Sequence, residues 1–233
     1  ASEEEILESL RSQKIEVRRS PLMPEVLELS GFDYPEQVEA FRKGLLMVQD
    51  ASSALVGLIS GSKEGDFVLD LCSAPGGKAM YMADQMRGEG MVIARDLTED
   101  KTDLIEENTE RTELENIRVE MADARILDED MIGRADIVLA DLPCSGLGIM
   151  GRKNDIKYNA DRNQMRELAV LQRNILKNAA AYVKPGGALI YSTCTIKPEE
   201  NEENYRWIQK ESGFRPGDLR PLLPESLVAD TAE

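Results

Sequence analysis

The sequence has 233 residues, of which 42% are hydrophobic, so it can form one sizeable core with a small appendage. A net charge of −16, from 28 basic and 44 acidic side chains, argues against a general nucleic-acid binder but leaves room for a local basic patch. The chain has no histidine, the commonest metal ligand, and no apolar run of about 18 residues or visible signal peptide, so we expect a cytoplasmic protein without a metal site.

The first 43 residues predict an appendage. Ser2 and Glu5 fit a capping box at the start of a short helix, and two short strands follow at 14–19 and 26–29. These elements are too few for an independent core, so we interpret residues 1–43 as part of a larger accessory domain. A helix is then predicted at 51–60, capped by Asp50.

Residues 44–233 form the predicted main domain, in which strands and helices alternate. Strands are predicted at 67–71, 91–95, 117–121, 136–140 and 187–193. Helices are predicted at 78–87, 98–112 and 164–183. Alternation with helix-length connections is typical of a parallel sheet covered on both faces, so we expect a doubly wound, Rossmann-like α/β fold.

The first crossover of this fold is the stretch Phe67–Lys78, FVLDLCSAPGGK. A buried strand breaks at Pro75, and two glycines allow a sharp turn and a close approach to a ligand. Doubly wound folds bind ligands at the carboxyl ends of their strands. Because the stretch is not Gly-x-Gly-x-x-Gly, it favours a nucleoside cofactor over a dinucleotide, with a purely structural turn as the alternative.

An acidic residue stands at or near the end of each of the first four predicted strands. They are Asp70, Asp96, Asp123 and Asp141. Together they predict a polar rim along one edge of the sheet. Asp96 is the most specific, since it follows the second strand about 20 residues after the glycine turn, where a carboxylate can bind ribose hydroxyls.

Two of the three cysteines, Cys144 and Cys194, also follow strands of the sheet. Buried cysteine is usually a small hydrophobe, and three cysteines this far apart predict neither a disulfide framework nor a zinc cluster. However, neighbouring strand ends share one crevice, which would place both thiols beside the cofactor. A nucleophilic thiol beside a nucleoside cofactor indicates covalent activation of an electron-poor ring, followed by group transfer.

Two charged stretches follow these loops. Residues 152–162 contain Arg152, Lys153, Lys157 and Arg162, which are either a solvated loop or phosphate contacts. The acidic run at 197–204 is interpreted as the start of a helix and a solvated face, with Pro198 in the first turn.

These motifs closely resemble the Sun family of S-adenosylmethionine-dependent RNA cytosine-C5 methyltransferases, in particular its bacterial branch that modifies small-subunit ribosomal RNA. The matching segments, in chain order, are Val48–Asp50, Leu69–Lys78, Asp141–Gly146, Arg152–Lys157, Ser192–Thr195 and Lys197–Asn201. The resemblance covers residues 20 to 215, and its paired Pro-Cys and Thr-Cys motifs are highly specific. It implies a cytosine in ribosomal RNA, extruded or unpaired, as the substrate.

The resemblance also implies residue roles. The methionine part of S-adenosylmethionine would be held by Cys72, Ser73, Ala74, Pro75, Gly76, Gly77 and Lys78. Asp96 would hold the ribose and Asp123 would face the adenine. Asp141 would lie near the sulfonium and the target base, with Lys78 at the rim of the active site. Cys194 would attack C6 of cytosine, and Cys144 would assist loss of the C5 proton and release of the enzyme.

RNA phosphates would be contacted by Arg152, Lys153, Lys157, Arg18 and Arg19. The chain departs from the family at Arg95 and Leu142, beside two of the acidic residues. The basic helical domain and the further strand that family members carry are also not apparent, so we expect the sheet to lack its usual last strand.

The residues alone leave some alternatives open. They do not say which cysteine attacks, and only the Thr-Cys motif of the family favours Cys194. A scaffold that binds the cofactor without catalysis, and a methyltransferase acting on another RNA or on DNA, remain alternatives. A nicotinamide dehydrogenase is least favoured, because neither a third glycine nor an acid–base histidine is present.

Overall fold

The computed structural model describes residues 2–21, 23, 25–149 and 162–228. The N-terminal part contains helix α1 (Glu3–Ser12), strands β1 (Glu16–Arg19) and β2 (Leu27–Ser30), and helix α2 (Glu39–Arg42). The main part contains α3 (Ala51–Ile59), β3 (Phe67–Asp70), α4 (Gly77–Gln85), β4 (Met91–Asp96), α5 (Glu99–Thr112), β5 (Ile117–Met121), β6 (Ala135–Asp141), α6 (Arg162–Tyr182), β7 (Val183–Ser192), α7 (Glu202–Ser212) and α8 (Glu225–Val228). In the described part of the chain, no helix is both long enough and apolar enough to cross a membrane.

The N-terminal part has its own small cluster of buried side chains. Strands β1 and β2 pair antiparallel, and α1 begins with the predicted capping box of Ser2 and Glu5. The fully enclosed members of the cluster are Leu10, Ile15, Val38 and Ala40. Arg111 of α5 joins this part to the main sheet, because its guanidinium lies 3.8 Å from the Phe41 ring centroid and donates to the Phe41 carbonyl.

The main sheet has five parallel strands in the order β5-β4-β3-β6-β7. Within the sheet, the chain therefore starts at the central strand β3 and adds β4 and β5 on one side. It then crosses back to place β6 and β7 on the other side of β3. The predicted doubly wound α/β fold is confirmed. Strands β3 and β6 are neighbours on either side of this reversal, so the loops after them border the crevice in which such folds bind ligands.

Alternate side chains along each strand pack on opposite faces of the sheet. One face buries Leu69 and Val138 against α6, where Leu176 and Tyr182 are enclosed. The other face covers its strands with α4 and α5, and its enclosed side chains include Val68, Val92, Met82 and Ile105. With both faces covered, the polar loops are confined to the sheet's edges, which is where a site can form.

Strand β7 begins four residues earlier than predicted. The sequence Lys184-Pro-Gly-Gly predicts a turn, but these residues lie within β7, and the pairing with β6 shifts register between Ala135 and Ile137. Gly186 has φ +83°, and a Cβ at Gly187 would lie 2.7 Å from the Asp136 carbonyl oxygen. The two glycines therefore allow a bulge against β6, so the strand continues through them.

Candidate active site

The loop between β3 and α4 is held against the end of β4. Gly76, with φ +99°, is the N-cap of α4, and the peptide bond before Pro75 is cis. The Ser73 amide donates to the Arg95 carbonyl at 2.8 Å, and the Ala74 amide donates to Asp96 Oδ2 at 3.0 Å. The predicted glycine turn and the predicted acidic residue of the second strand therefore form one unit.

Asp96 is buried at the centre of this unit. Its Oδ1 accepts from the Leu97 amide at 2.7 Å and from Lys101 Nζ at 2.8 Å. Its Oδ2 accepts from the Ala74 amide. A buried carboxylate is stabilised when it is hydrogen-bonded in this way, so Asp96 fixes the loop while remaining at the end of the strand.

Buried polar atoms without hydrogen-bond partners border the same loop. Among the described residues, no partner is found for Gln49 Oε1, Asp70 Oδ1 or Ser73 Oγ. Burial raises the pKa of Asp70 to about 7. A Cβ at Gly77 would lie 3.0 Å from Gln49 Oε1, so the backbone and this side chain approach closely there. Unpaired polar atoms around a glycine turn fit a polar ligand such as the methionine part of a nucleoside cofactor.

Asp123 lies beside a cavity at the end of β5. The cavity has a volume of about 210 Å³ and is lined by residues that include Leu71, Arg95, Asp123, Ile126, Asp128 and Tyr182. The Asp123 carboxylate accepts from Arg125 Nε, and this hydrogen bond keeps the pKa of Asp123 low. The cavity is bordered by Arg95, the residue before Asp96, and by Tyr182 of α6.

Arg95, the departure from the family pattern, forms one wall of that cavity. Its Nη2 lies 2.7 Å from Glu120 Oε2 and 2.8 Å from Asp128 Oδ2. Because Arg95 is buried, the two carboxylates compensate its charge. The departure is thus structurally accommodated by two acids on neighbouring segments.

Lys78 and Asp141 connect the two halves of the sheet. Lys78, near the start of α4, places Nζ 2.6 Å from Asp141 Oδ2 at the end of β6. Ser192 Oγ, at the end of β7, donates to Asp141 Oδ1 at 2.6 Å. The two predicted residues therefore meet, in an ion pair at the border between the glycine turn and the cysteines.

Cys144 and Cys194 lie together, as the strand ends predict. Their Sγ atoms are 2.8 Å apart, and the Cys194 amide donates to Cys144 Sγ at 3.2 Å. Cys194 is exposed, whereas Cys144 is half-buried. The hydrogen bond with Cys194, followed by burial, raises the pKa of the Cys144 thiol. Of the two thiols, Cys194 is therefore the more accessible to a substrate, with Cys144 directly beside it.

Cys72 has a different environment from this pair. It packs against the hydrophobic cluster on the α6 face of the sheet. Burial, followed by the charges of Asp70 and Asp96, raises its pKa to about 12. A thiol that resists ionisation in this way is a packing residue beside the loop rather than a nucleophile.

The structure describes only part of the predicted phosphate-contact set. Arg152, Lys153 and Lys157 lie outside the described residues. Arg18 pairs with Glu28 at 3.4 Å across β1 and β2, and Arg19 pairs with Glu3 of α1. Both arginines thus have acidic partners within the N-terminal part, and their contact with RNA remains a prediction.

Sequence reasoning missed Glu200. The acidic run at 197–204 was expected to be solvated, but Glu200 and Asn204 are both fully buried. Pro198–Glu200 form a 3₁₀ helix ahead of α7, and Glu200, Asn204 and Ile208 fall on one buried face. That spacing of four residues was the available signal, and it was masked by the exposed acids around it.

A five-stranded parallel sheet of this order, with a glycine turn after the first strand and an acidic residue after the second, defines a Rossmann-like α/β protein of the kind that binds nucleotide-type ligands at its strand ends. The family described as 16S rRNA methyltransferase RsmB/F matches residues 58–212. The chain belongs to this family, which confirms the resemblance to the Sun family.

Individual relatives agree with this assignment. The probable ribosomal RNA small subunit methyltransferase B of Bacillus subtilis is 36% identical, over 97% of this chain and 51% of that protein. The chain therefore spans about half the length of this relative. The crystal structure of PH0851 has a TM-score of 0.86 and 33% identity, covering 93% of this chain and 48% of that one.

NSun6 from Pyrococcus horikoshii, whose structure was solved with SFG, has a TM-score of 0.76. It covers 91% of this chain and 77% of its own, at 22% identity. At 22% identity, this similarity is evidence for a shared fold.

Proposed function

We propose that this chain is an S-adenosylmethionine-dependent methyltransferase that modifies C5 of a cytosine in RNA, with small-subunit (16S) ribosomal RNA as its target. The observation that carries the proposal is the pair of thiols, Cys144 and Cys194, 2.8 Å apart at neighbouring strand ends. Membership of a 16S rRNA methyltransferase family supports the choice of RNA.

The residues around the glycine turn fit the proposed cofactor. S-adenosylmethionine supplies an electrophilic methyl group when it is bound. The loop from Cys72 to Lys78 would hold its methionine part, where Asp70 Oδ1 and Ser73 Oγ lack partners among the described residues. Asp96 would hold the ribose, and Asp123 would face the adenine at the cavity beside β5.

The two cysteines divide the chemistry between them. The Cys194 thiolate attacks C6 of cytosine, and the electron pair of the C5–C6 double bond then makes C5 nucleophilic. C5 would form the new carbon–carbon bond to the methyl group as the bond from that carbon to the sulfonium sulfur breaks, leaving S-adenosylhomocysteine, and C5 would next lose its proton. Cys144, beside Cys194, assists this loss, and the electrons of the C5–H bond re-form the double bond while the bond from C6 to Cys194 breaks. Asp141, held by Lys78 and Ser192, faces the reacting base.

The substrate must present its cytosine outside a base stack. C5 and C6 cannot reach a thiol from within a duplex, so an unpaired or extruded nucleotide is required. Arg152, Lys153 and Lys157, with Arg18 and Arg19 of the N-terminal part, would contact phosphates. Residues 1–43 would then be part of an RNA-recognition domain. We further propose that the protein acts in the cytoplasm, where ribosomal RNA is assembled into ribosomal subunits.

Labelled methyl transfer to an unmodified 16S rRNA transcript tests the proposal. We expect 5-methylcytosine after nuclease digestion, and we expect Cys144→Ala to trap an RNA–protein adduct that survives denaturant. DNA and transfer RNA serve as competing substrates, and preference for either would contradict the proposed target. Cofactor binding by calorimetry without transfer to any substrate would instead favour the scaffold alternative.

A further inference from the structure

A buried polar cluster lies behind the two cysteine loops. It consists of Gln172 on α6, Tyr191 on β7, Glu200 in the 3₁₀ helix and Asn204 on α7, and we call these four residues the Glu200 cluster. Gln172, Glu200 and Asn204 are each 0% exposed. Three polar side chains from separate elements thus meet in the interior, where desolvation makes such groups expensive unless they are paired.

The Glu200 cluster fixes both peptide groups that flank Cys144. Glu200 Oε2 accepts from the Ser145 amide at 2.8 Å and from Gln172 Nε2 at 3.2 Å. Gln172 Nε2 also donates to the Pro143 carbonyl at 2.9 Å. The backbone immediately before and immediately after Cys144 is therefore held by two adjacent buried side chains.

The same cluster is joined to the loop that carries Cys194. Ser145 Oγ and Thr195 Oγ1 lie 2.9 Å apart, one residue beyond each cysteine. Asn204 Nδ2 donates to Gln172 Oε1 at 2.8 Å and to the Tyr191 hydroxyl at 3.3 Å, and that hydroxyl donates to the Glu200 carbonyl. The strand that precedes Cys194 and the turn that holds Cys144 therefore share one hydrogen-bond network.

The Glu200 carboxyl group is desolvated in the interior, which has a cost in free energy. Its removal would leave the Ser145 amide and Gln172 Nε2 without this acceptor, so the local structure of the Cys144 turn depends on it. Glu200 Oε1 also lacks a hydrogen-bond partner among the described residues. What the acid adds is an acceptor at the Ser145 amide, and such polar networks can specify one geometry.

We propose that Glu200 is a positioning residue that fixes the Cys144 turn, and so sets the distance between Cys144 and Cys194. The role of Glu200 in setting the distance between the two thiols does not depend on any activity. The effect of that distance on catalysis rests on the proposed function. With the Cys144 turn loosened, Cys194 can still attack and methyl transfer can proceed. Release of the product should then be slow, because Cys144 acts only after the methyl group has arrived.

Closure of the Cys144–Cys194 disulfide measures the thiol geometry without RNA. Diamide takes up the two thiol protons and two electrons as the bond between the sulfur atoms forms. We expect Glu200→Ala to slow closure about tenfold, since the two thiols lose their fixed proximity. Glu200→Gln retains an oxygen for the Ser145 amide and should stay within about twofold of the wild type, because proximity is kept. The linked peptides are quantified by mass spectrometry.

Matched variants distinguish a specific effect on the position of Cys144 from a general loss of folding. Glu199 is exposed and adjacent, so Glu199→Ala should leave closure unchanged. Gln172→Ala removes the bond to Pro143, and it should also slow closure even if Glu200→Ala fails to fold. Calorimetric binding of S-adenosylhomocysteine and thermal unfolding identify the folded variants. Wild-type closure rates in folded Glu200→Ala or in Gln172→Ala would overturn the proposal.

Activity adds a second readout. In single turnover with 16S transcript, Glu200→Ala should transfer methyl within about threefold of wild type, while multiple turnover falls about tenfold and the denaturant-resistant adduct accumulates. An equal fall in both rates without adduct would assign Glu200 a merely structural role. If the wild type itself transfers no methyl group, the proposed function fails, and the disulfide measurement still decides the positioning of Cys144.

Discussion

The two halves of the sheet place different chemistry at their carboxyl ends. After β3 and β4, backbone amides and buried carboxylates meet, as in the bond from the Ala74 amide to Asp96. After β6 and β7, two thiols meet, and one of them is exposed. The first half presents hydrogen-bonding groups around a glycine turn, and it is the half in which we propose that the nucleoside cofactor binds. The second half presents the thiol pair to which we assign the covalent step.

Removal of the exposed thiol should have the largest effect, and the effect should be confined to the second half of the sheet. Cys194→Ala should lower methyl transfer by about 10⁴-fold or more, because no covalent bond to C6 can form. Cofactor affinity, measured by calorimetry, should stay within about twofold, since none of the hydrogen bonds around the glycine turn is touched. Transfer that survives in Cys194→Ala but not in Cys144→Ala would reverse the two roles.

The first half should carry the stronger pH dependence of stability, through Asp70. Its folded pKa of about 7 lies above the unfolded value of about 3.9. The contribution of Asp70 to stability is therefore fully present below pH 4 and is lost as the pH rises to 7, where it levels off. The loss amounts to at most about 4 kcal/mol, from about 1.4 kcal/mol per unit of pKa.

Urea unfolding at pH 5 to 8 measures this effect as the difference between wild type and Asp70→Asn, which cannot titrate. We expect the advantage of the wild type to shrink steadily as the pH rises toward 7. Asp84 is exposed on α4, so Asp84→Asn is the matched control and should follow the wild type. Parallel curves for wild type and Asp70→Asn would show that Asp70 ionises normally.

The sequence predicted that the two thiols lie close together, but it did not predict the buried residues that hold their loops in place. Cys144 and Cys194 follow strands of one parallel sheet, and parallel strands bring their carboxyl ends to a common edge, so topology alone brings the residues together. The position of Asp96 against the glycine turn follows in the same way. Such residues are predictable because they depend only on where a strand ends.

Glu200 and Arg95 were not predictable in that way. An acid in an acidic run looks solvated, and Glu200 is buried because a 3₁₀ helix turns it beneath the Cys144 loop. Arg95 appeared as a departure from the family, and its partners Glu120 and Asp128 come from segments 25 and 33 residues away. Polar burial of this kind depends on tertiary partners, which local periodicity does not contain.

A variant in the first half of the sheet, Asp96→Ala, should affect cofactor binding without affecting the thiols. Asp96→Ala removes acceptors for the Ala74 amide and Lys101, so the loop should lose its fixed conformation, and the cofactor should bind about 100-fold more weakly. Calorimetry with S-adenosylhomocysteine measures this, with exposed Asp100→Ala as the control. Diamide closure of the Cys144–Cys194 pair should be unchanged in Asp96→Ala. A slower closure would mean that the two halves are not separable.

The smallest expected effect concerns the ion pair between Lys78 and Asp141, which lies between the two halves of the sheet. Lys78 Nζ and Asp141 Oδ2 are 2.6 Å apart, and their side chains are 18% and 29% exposed. A double-mutant cycle of Lys78→Met and Asp141→Asn, measured by urea unfolding, should give a coupling of about 1 kcal/mol, because partial exposure screens the pair. Lys43 and Glu39, an exposed pair on the N-terminal part, provide a reference cycle expected near zero. Equal coupling in both cycles would mean that the contact adds nothing beyond a surface ion pair, and that the pairing of β3 with β6 and the packing around it hold the two halves together.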